Sequence, residues 1–582
     1  MRWDLTALYE NFKDPQIEKD FKTLRETLTT LTEKLSEETL TESLLEEALE
    51  KQMTLRQLMS KLGAFGRLSL SVESSNGDAR DHLTKLQALS GDFAKLNTLF
   101  TKALAEVNLD SFENNLIKEH LFVLKERQEE AKRMLSEKEE VLLAKLRNTG
   151  SSAFSTLQSD QVSNLTTKVI IHGEEQELPL PALRNLANHE DQQVRKAGFE
   201  AELKAYPAIE EAGAAAMSAI KGEVITVAEL KGYESPLDET IQDSRLDKET
   251  LDALLTAMEE YLPEFWRYLN RKAEILGDDK LPFYDILAPL GEVDLTFTYD
   301  EAMDYIVKQY EKVHEPLARY VEHAWKDDWL DVEMRKGKRA GAFCSNLHVI
   351  GESRIMSNFD GSFSSLSTLA HELGHGYHGH NLKEESILNA SYTMPIAETA
   401  SIFNEILIIK SAMKDVDDQG KIALLNDSIT RSNQVITDIY SRFIFEKDVF
   451  ETRKTKTLSA KELCEKMINA QKKAYGEGLD HKVLHPYMWL NKPHYYSTLS
   501  YYNFPYAFGL LLGQALVNKY EEEGPAFMPK YDKFLSVTGK MTIADAAKTI
   551  GIDIRDPEFF RNSLEAIKGE IDQFIELTES LV

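Results

Sequence analysis

The stretch HELGHGYHGH, residues 371–380, holds four histidines and one glutamate within ten positions. If residues 366–380 form a helix, His371 and His375 lie one turn apart on the same face, so both imidazoles can bind one ion. Zinc accepts such nitrogen ligands at about 2.0–2.1 Å. The spacing therefore predicts a zinc site on a helix, whose opposite face buries an apolar stripe of Leu366, Leu369, Leu373 and Tyr377.

A catalytic zinc site needs a third protein ligand and leaves one position open. Further histidines from the same short helix would crowd one side of the ion. We therefore interpret His378 as a group that supports a ligand or contacts the substrate, and we expect His380 to be exposed.

The third ligand is predicted from SYTMPIAETASIFNEILIIK, residues 391–410, which reads as a helix with Pro395 in its first turn. Glu398 and Glu405 are seven residues apart, so they share one face. We expect Glu398 to bind the metal and Glu405 to orient a ligand histidine. A solvated acidic face is the alternative for both. The opposite face is predicted to bury Ile396, Ala400, Phe403 and Leu407.

Glu372 lies between the two ligand histidines in sequence and is left free by these assignments. A carboxylate there can take a proton from a metal-activated water as a general base and return it to a leaving amine. The constellation suits hydrolysis of an amide bond.

The composition limits the possible partners and compartment. The 582 residues include 97 acidic and 68 basic side chains, a net charge of −29, which disfavours nucleic acid and anionic membranes as partners. Cys344 and Cys464 do not suggest a disulfide framework, the N-terminus has no apolar signal region, and no apolar run approaches the ~18 residues of a membrane helix. We expect a cytoplasmic protein.

The chain alternates long helical stretches with two non-helical intervals. Residues 16–62 and 79–145 are predicted to be amphipathic helices. The small polar residues of 148–160 and a hairpin over 166–181, with His172 and Gly173 in the turn, indicate a boundary region. We divide the chain into a helical N-terminal lobe, 1–180, and a catalytic domain, 181–582. Residues 339–365 are predicted to form two or three short strands.

A second cluster of polar and aromatic side chains lies in KPHYYSTLSYYNFPYAFG, residues 492–509. An amide hydrolase needs donors at the developing oxyanion, which the histidine and the tyrosines of this stretch could supply. From composition alone, an aromatic cluster packed in a core is the better explanation.

Several segments together resemble the oligoendopeptidase F branch of the thimet oligopeptidase family of zinc metallopeptidases: WDLTALY, GYESPL, GAFC, HELGHGYH, AETASIFNE and YYNFPYAFG. The resemblance implies a mostly α-helical, elongated fold with a deep substrate channel, a small β-sheet near the HExxH helix, and one Zn²⁺ per chain. It also implies that His494 and Tyr506 contact the substrate and its oxyanion, with Tyr501 and Tyr502 as alternates.

The resulting hypothesis is a zinc-dependent endopeptidase that hydrolyses internal peptide bonds of short oligopeptides, as a monomer or a small homo-oligomer. The alternative is a zinc carboxypeptidase or dipeptidyl carboxypeptidase on a similar helical fold, which needs a cation to hold the terminal carboxylate of the peptide. A non-catalytic peptide-binding protein with a structural zinc is a third reading, and the presence of Glu372 argues against it.

Overall fold

The computed structural model describes residues 1–291, 293 and 295–581. It is mostly helical with small sheets, which confirms the predicted fold class. Within the described residues, no helix combines the length and the apolar character needed to span a membrane.

The chain divides into two compact units, each built from three stretches. Unit 1 comprises Met1–Met134, Leu295–Ser411 and Leu516–Ile552, and unit 2 comprises Leu135–Asp294, Ala412–Ala515 and Asp553–Val582. The division of the chain at residue 180, the elongated shape and the channel stay predictions.

The helices and strands follow one another in this order: α1 Pro15–Glu37, α2 Glu42–Val72, α3 Gly77–Gln87, α4 Ser90–Ala105, α5 Asn115–Glu119, α6 Leu121–Ala131, α7 Glu137–Thr149, α8 Ser151–Asn164, β1 Thr166–Ile171, β2 Glu174–Pro179, α9 Leu180–Asn185, α10 Gln192–Ala205, α11 Glu210–Leu230, α12 Pro236–Asp243, α13 Lys248–Leu276, α14 Tyr299–Glu311, α15 Glu315–Lys326 and β3 Leu330–Asp331. The remaining elements are β4 Phe343–Leu347, β5 Glu352–Met356, α16 Phe363–Asn381, α17 Met394–Ala397, α18 Thr399–Ala412, α19 Asp418–Asn433, α20 Ile439–Arg453, α21 Ala460–Tyr475, α22 Phe504–Glu523, α23 Met528–Val537, α24 Ile543–Lys548 and α25 Pro557–Thr578.

The long N-terminal helices supply much of the core of unit 1. In α1, Asp14 caps the first turn by accepting a hydrogen bond from the Gln16 amide at 2.8 Å. Its buried face follows helical spacing and consists of Ile17, Phe21, Leu24, Leu28, Leu31 and Leu35. These residues belong to one apolar cluster with side chains from α2, α4, β4 and β5. The predicted helical character of this region is confirmed.

The predicted boundary region in unit 2 is partly wrong. Residues 151–164 form helix α8, and the interruption is confined to Gly150, whose backbone is not helical. Small polar residues are poor helix formers, but tertiary packing outweighs that propensity, since α8 packs on α11. The hairpin is confirmed: β1 and β2 pair antiparallel, and positive φ angles of 51° at His172 and 86° at Gly173 form the two-residue turn.

A three-stranded sheet of unit 1 has the order β3-β5-β4 and packs against α16. β4 pairs antiparallel and β3 parallel with β5. Two or three strands are predicted within 339–365; the structure has two there, β4 and β5, and the third strand of the sheet, β3, lies earlier in the chain. The Asn346 side-chain amide on β4 donates a hydrogen bond to the His375 carbonyl at 3.1 Å, which fixes α16 on the sheet.

Candidate metal centre

Helix α16 carries the HExxH stretch. Ser362 caps its N-terminus, because its hydroxyl accepts a hydrogen bond from the Ser365 amide at 3.2 Å. The predicted apolar stripe is confirmed as buried, with Leu366, Leu369, Leu373 and Tyr377 all inside unit 1. The opposite face is thereby left to the two ligand histidines.

The structure brings together the three predicted ligands. The Oε2 atom of Glu398 lies 3.3 Å from His371 Nε2 and 3.5 Å from His375 Nε2. One donor atom from each residue lies within 4.8 Å of the other two. The donor atoms of the two α16 histidines and of Glu398, which follows α16 in the sequence, therefore converge on one position.

Glu398 lies where the predicted second helix is interrupted. Helix α17 ends at Ala397 and α18 begins at Thr399, so the segment is not one continuous helix. The predicted buried stripe is correct at Ile396, Ala400 and Phe403, on both sides of the interruption, but not at Leu407. Leu407 is only partly buried, and Ile408 takes the buried position.

Glycine at position 374 permits the close approach of the two ligand-bearing segments. A Cβ atom there would lie 2.6 Å from the Ala400 carbonyl oxygen and 2.6 Å from Ser401 Cα. Gly376 is required in the same way, because a side chain would overlap the Tyr320 hydroxyl. The small residues of HELGHGYHGH therefore let neighbouring elements reach the metal-binding helix.

Each ligand histidine is anchored on its other side. The Glu405 carboxylate lies 3.0 Å from His371 Nδ1, and the Ala397 carbonyl accepts a hydrogen bond from the His375 ring. These contacts direct Nε2 of both rings towards Glu398. Glu405 thus contacts one of the two histidines, and its role in orienting a metal ligand stays a prediction.

The ionisable side chains at this centre change one another's pKa values. Burial opposes a charge on His371, but hydrogen bonds with Glu398 and Glu405 raise its pKa to about 10. Burial and the neighbouring His371 lower the pKa of His375 to about 4. Burial also opposes ionisation of Glu398, but its hydrogen bond with His371 and its electrostatic interactions with the His375 and His371 rings lower its pKa to about 2.

Glu372 is only 7% exposed, yet it lies at the same centre. Burial raises the pKa of this carboxyl to about 7, with a further upward contribution from Glu398, while His371 and a hydrogen bond from the Cys344 backbone oppose the rise. That pKa suits a group that takes up and releases a proton near neutral pH. The contact with Cys344 on β4 was not predicted, because it joins residues far apart in sequence.

The remaining histidines of the stretch lie away from the donor group. His378 is 0% exposed, its Nε2 lies 2.8 Å from Thr538 Oγ1, and its ring stacks on Tyr392 at 4.0 Å. This placement gives no support to the predicted substrate contact and instead makes His378 part of the packing behind the site. His380, expected to be exposed, is partly buried against the rings of Tyr320 and Tyr377.

The predicted substrate residues of the C-terminal segment form a cluster in unit 2. The hydroxyls of Tyr502 and Tyr506 lie 2.9 Å apart, and the His494 ring stacks on Tyr502 at 5.6 Å. Tyr501 is buried against Phe443, and its backbone has a positive φ of 51°. The structure thus brings three of the four residues together and directs Tyr501 into the core of unit 2.

Comparison with known proteins gives the family. The chain matches the family model described as Peptidase family M3 over residues 185–566 and the one described as Oligopeptidase F over residues 102–166. This chain belongs to peptidase family M3. The predicted family and the predicted enzyme class, a metallo-endopeptidase, are thereby confirmed.

Relatives of this chain align with it over nearly its whole length. It is 24% identical to oligopeptidase PepF of Bacillus subtilis, covering 99% of this chain and 87% of the relative. It is 22% identical to an oligoendopeptidase F homologue of Lactococcus lactis, covering 100% and 97%.

Solved structures share the fold. A putative peptidase from Chlamydophila abortus superimposes with a TM-score of 0.86 at 20% identity, covering 99% of this chain and 98% of that one. Oligoendopeptidase-F from Enterococcus faecium gives a TM-score of 0.72 at 18% identity, covering 97% and 99%.

Proposed function

We propose that this M3 peptidase is a zinc-dependent endopeptidase that cleaves internal bonds of short oligopeptides. The observation that carries the proposal is the convergence of His371, His375 and Glu398 with Glu372 beside them. The printed names of the relatives, oligopeptidase and oligoendopeptidase, support the substrate class. In this proposal the first three residues are the metal ligands and Glu372 is the general base.

The donor set meets the requirements of zinc. In a tetrahedron with ligand distances of about 2.0–2.1 Å, neighbouring donor atoms are about 3.3–3.4 Å apart. The Glu398 oxygen lies 3.3 Å and 3.5 Å from the two histidine nitrogens, so little movement is needed. The raised pKa of His371 is consistent with this fit, since a cation at Nε2 would take the place of the proton between this nitrogen and Glu398, while Nδ1 keeps its contact with Glu405.

A bound zinc would polarise the scissile carbonyl and make a water molecule acidic enough to attack near neutral pH. Glu372 takes the proton from the attacking water, because its buried carboxyl lies beside the donor group and is left free by the ligand assignments. The same carboxyl then delivers that proton to the leaving nitrogen. Glu405 keeps the His371 ring in the orientation that directs Nε2 to the metal.

We also propose that Tyr506 and His494 contact the substrate, with Tyr502 as the alternate donor. This part rests on the family resemblance and on the hydrogen bond between Tyr502 and Tyr506, which holds two hydroxyls side by side. We also place the enzyme in the cytoplasm, because its two cysteines do not suggest a disulfide framework and fit a reducing compartment.

The test of the proposed function is Glu372→Gln, which keeps the size of the side chain and removes the base. We expect the variant to bind zinc like the parent and to lose about 10²–10⁴-fold in kcat. Glu384→Gln is the matched control, because Glu384 is an exposed glutamate just beyond α16 and its substitution removes the same charge. Metal analysis and peptide cleavage are measured on all three proteins. Unchanged turnover in Glu372→Gln would contradict the assigned role.

A further inference from the structure

Unit 1 contains a cavity of about 610 Å³ that is lined by α2, by β4 and by the loop that precedes β4. This volume lies within the range of about 300–1,000 Å³ that is typical of small-ligand sites. The lining residues all belong to unit 1, as do the three donors of the metal centre. The cavity and the metal centre therefore lie in the same compact unit.

Cys344 connects the cavity with the proposed general base. It lines the cavity, and its backbone donates a hydrogen bond to Glu372. The loop before β4 is attached to α2, because the Arg339 amide donates a hydrogen bond to the Ser71 carbonyl at 2.8 Å. The cavity therefore extends to the residue that contacts the base, and its walls are joined to one another.

The lining of the cavity is positively charged. Among the described residues it includes three cations and no carboxylate. Lys338 is compensated, since its ammonium lies 2.8 Å from Asp331. Arg67 and Arg339 are not: in the part of the chain that the structure describes, no carboxylate lies within 4.0 Å of either guanidinium. Both side chains are exposed, so a ligand can reach them.

This local charge is opposite in sign to that of the whole chain. The net charge of −29 gives the protein a field that disfavours anionic ligands in general. A cavity with two uncompensated arginines is therefore a place where the chain accepts an anion that it otherwise repels.

Gly63 on α2 leaves the space that the Arg67 guanidinium occupies. A Cβ atom at position 63 would lie 2.6 Å from Arg67 Nη1 and 3.2 Å from its Cζ atom. The side chain of Arg67 thus lies back over the preceding turn, in the direction that helical side chains favour. Glycine inside a helix costs about 1 kcal/mol relative to alanine, and the room it gives to this guanidinium is a reason for its presence.

We propose that this cavity is a substrate subsite that binds an acidic side chain of the peptide, with Arg67 and Arg339 as its cationic partners. Guanidinium groups suit this task, because their N–H donors match the two oxygens of a carboxylate. The inference rests on the proposed function, since the peptide must lie at the metal centre for its neighbouring residues to reach the cavity.

An acidic side chain fits the site better than the terminal carboxylate of a peptide. An endopeptidase binds a chain that continues on both sides of the cleaved bond, so the carboxylates near that bond belong to Asp or Glu side chains. Leu68, Leu70 and Phe343 also line the cavity and can cover their methylene groups. A cavity of this volume is about 8–9 Å across and an extended peptide advances about 3.3 Å per residue, so we expect the acidic residue within about three positions of the cleaved bond.

The test uses short internally quenched peptides, blocked at both termini, in which one residue is either Glu or Gln and its position is moved along the peptide. We expect the wild type to prefer Glu about 5- to 20-fold in kcat/KM at one position near the cleaved bond, the value of a charge-assisted hydrogen bond at an exposed site. Arg67→Gln and Arg339→Gln should each reduce this preference, and the double variant should abolish it. Arg319→Gln is the control, because Arg319 is a 67% exposed arginine on α15 of the same unit.

A reversal of charge separates recognition from damage to the fold. The double variant Arg67→Glu and Arg339→Glu should prefer Lys over Glu at the same position, because the cavity then offers carboxylates. A defect of folding or of zinc binding lowers the cleavage of all peptides in proportion, and such a proportional fall without a change of preference would overturn the inference.

Gly63→Ala changes the position of Arg67 without removing its charge. The variant should be at least as stable as the wild type, because alanine favours the helix and only the mobile end of Arg67 must move. We expect its preference for Glu to be weaker than that of the wild type. A preference equal to that of the wild type would overturn the role assigned to Arg67.

A binding measurement distinguishes a failure of this inference from a failure of the proposed function. Fluorescence anisotropy with Glu372→Gln and labelled peptides should show tighter binding of the Glu peptide than of the Gln peptide. Equal cleavage of both peptides at every position by an active wild type would overturn the inference and leave the endopeptidase intact. Tighter binding of the Glu peptide without cleavage of any peptide would support the subsite and overturn the proposed function. A preference seen only with a free C-terminal carboxylate would overturn the assignment to a side chain.

Discussion

Replacing Glu405 by glutamine tests the prediction that zinc affinity depends on a carboxylate that does not touch the metal. The Glu405 carboxylate lies 3.0 Å from His371 Nδ1 and its side chain is 17% exposed, so the contact is largely shielded from water. The substitution keeps the shape and exchanges a charge-assisted hydrogen bond for a neutral one, a difference of about 1–2 kcal/mol. That free energy corresponds to a zinc Kd about 5- to 30-fold higher, which overlaps the usual range of about 10- to 100-fold for residues that support metal ligands.

The assay is competition for zinc with a chromophoric chelator at fixed pH, performed on wild type, Glu405→Gln and the surface control Glu384→Gln. The control should bind zinc like the wild type, because its carboxylate is exposed. Thermal unfolding of the zinc-free proteins shows whether the substitution disturbs the fold itself. A zinc Kd for Glu405→Gln that equals that of the control would refute the argument that Glu405 orients His371.

Three further changes test other parts of the account. Gly374→Ala places a Cβ atom 2.6 Å from the Ala400 carbonyl oxygen and should destabilise the protein by about 1–3 kcal/mol in thermal unfolding. At Gly569 a Cβ atom meets nothing within 4 Å, so Gly569→Ala should stabilise the protein by up to about 1 kcal/mol. Tyr506→Phe should lower kcat by about 10²–10³-fold if its hydroxyl stabilises the oxyanion, and an effect confined to KM would instead indicate ground-state binding. Burial and the neighbouring His375 lower the pKa of His378 to about 3, so below an unfolded pKa of about 6.5 the unfolded chain takes up a proton that the folded protein does not. The free energy of unfolding should therefore fall by up to about 1.4 kcal/mol per pH unit as the pH decreases from 6.5. Denaturant unfolding between pH 7.5 and 5 should show a less steep fall in His378→Gln.

The metal centre could be predicted because its signals are local. The spacing of four between His371 and His375 and of seven between Glu398 and Glu405 places each pair on one helical face, and the structure brings the two faces together. The prediction failed where tertiary packing decides. Residues 151–164 are helical despite weak propensity, the second helix is interrupted at Glu398, and Ile408 is buried where Leu407 was predicted.

The contact between the Cys344 backbone and Glu372 could not be predicted, because no local pattern marks it. The two residues lie on different elements, β4 and α16, and only the packing of the sheet on the helix brings them together.

The central claim, an endopeptidase that depends on zinc at the His371, His375 and Glu398 donors, is tested most directly with an internally quenched peptide of about ten residues blocked at both termini. The purified protein is incubated with the peptide alone, with a chelator, and with zinc added back after chelation. The account predicts cleavage at an internal bond that the chelator abolishes and zinc restores. Failure to cleave the blocked peptide with zinc bound, together with release of residues from an unblocked C-terminus, would contradict it and establish an exopeptidase.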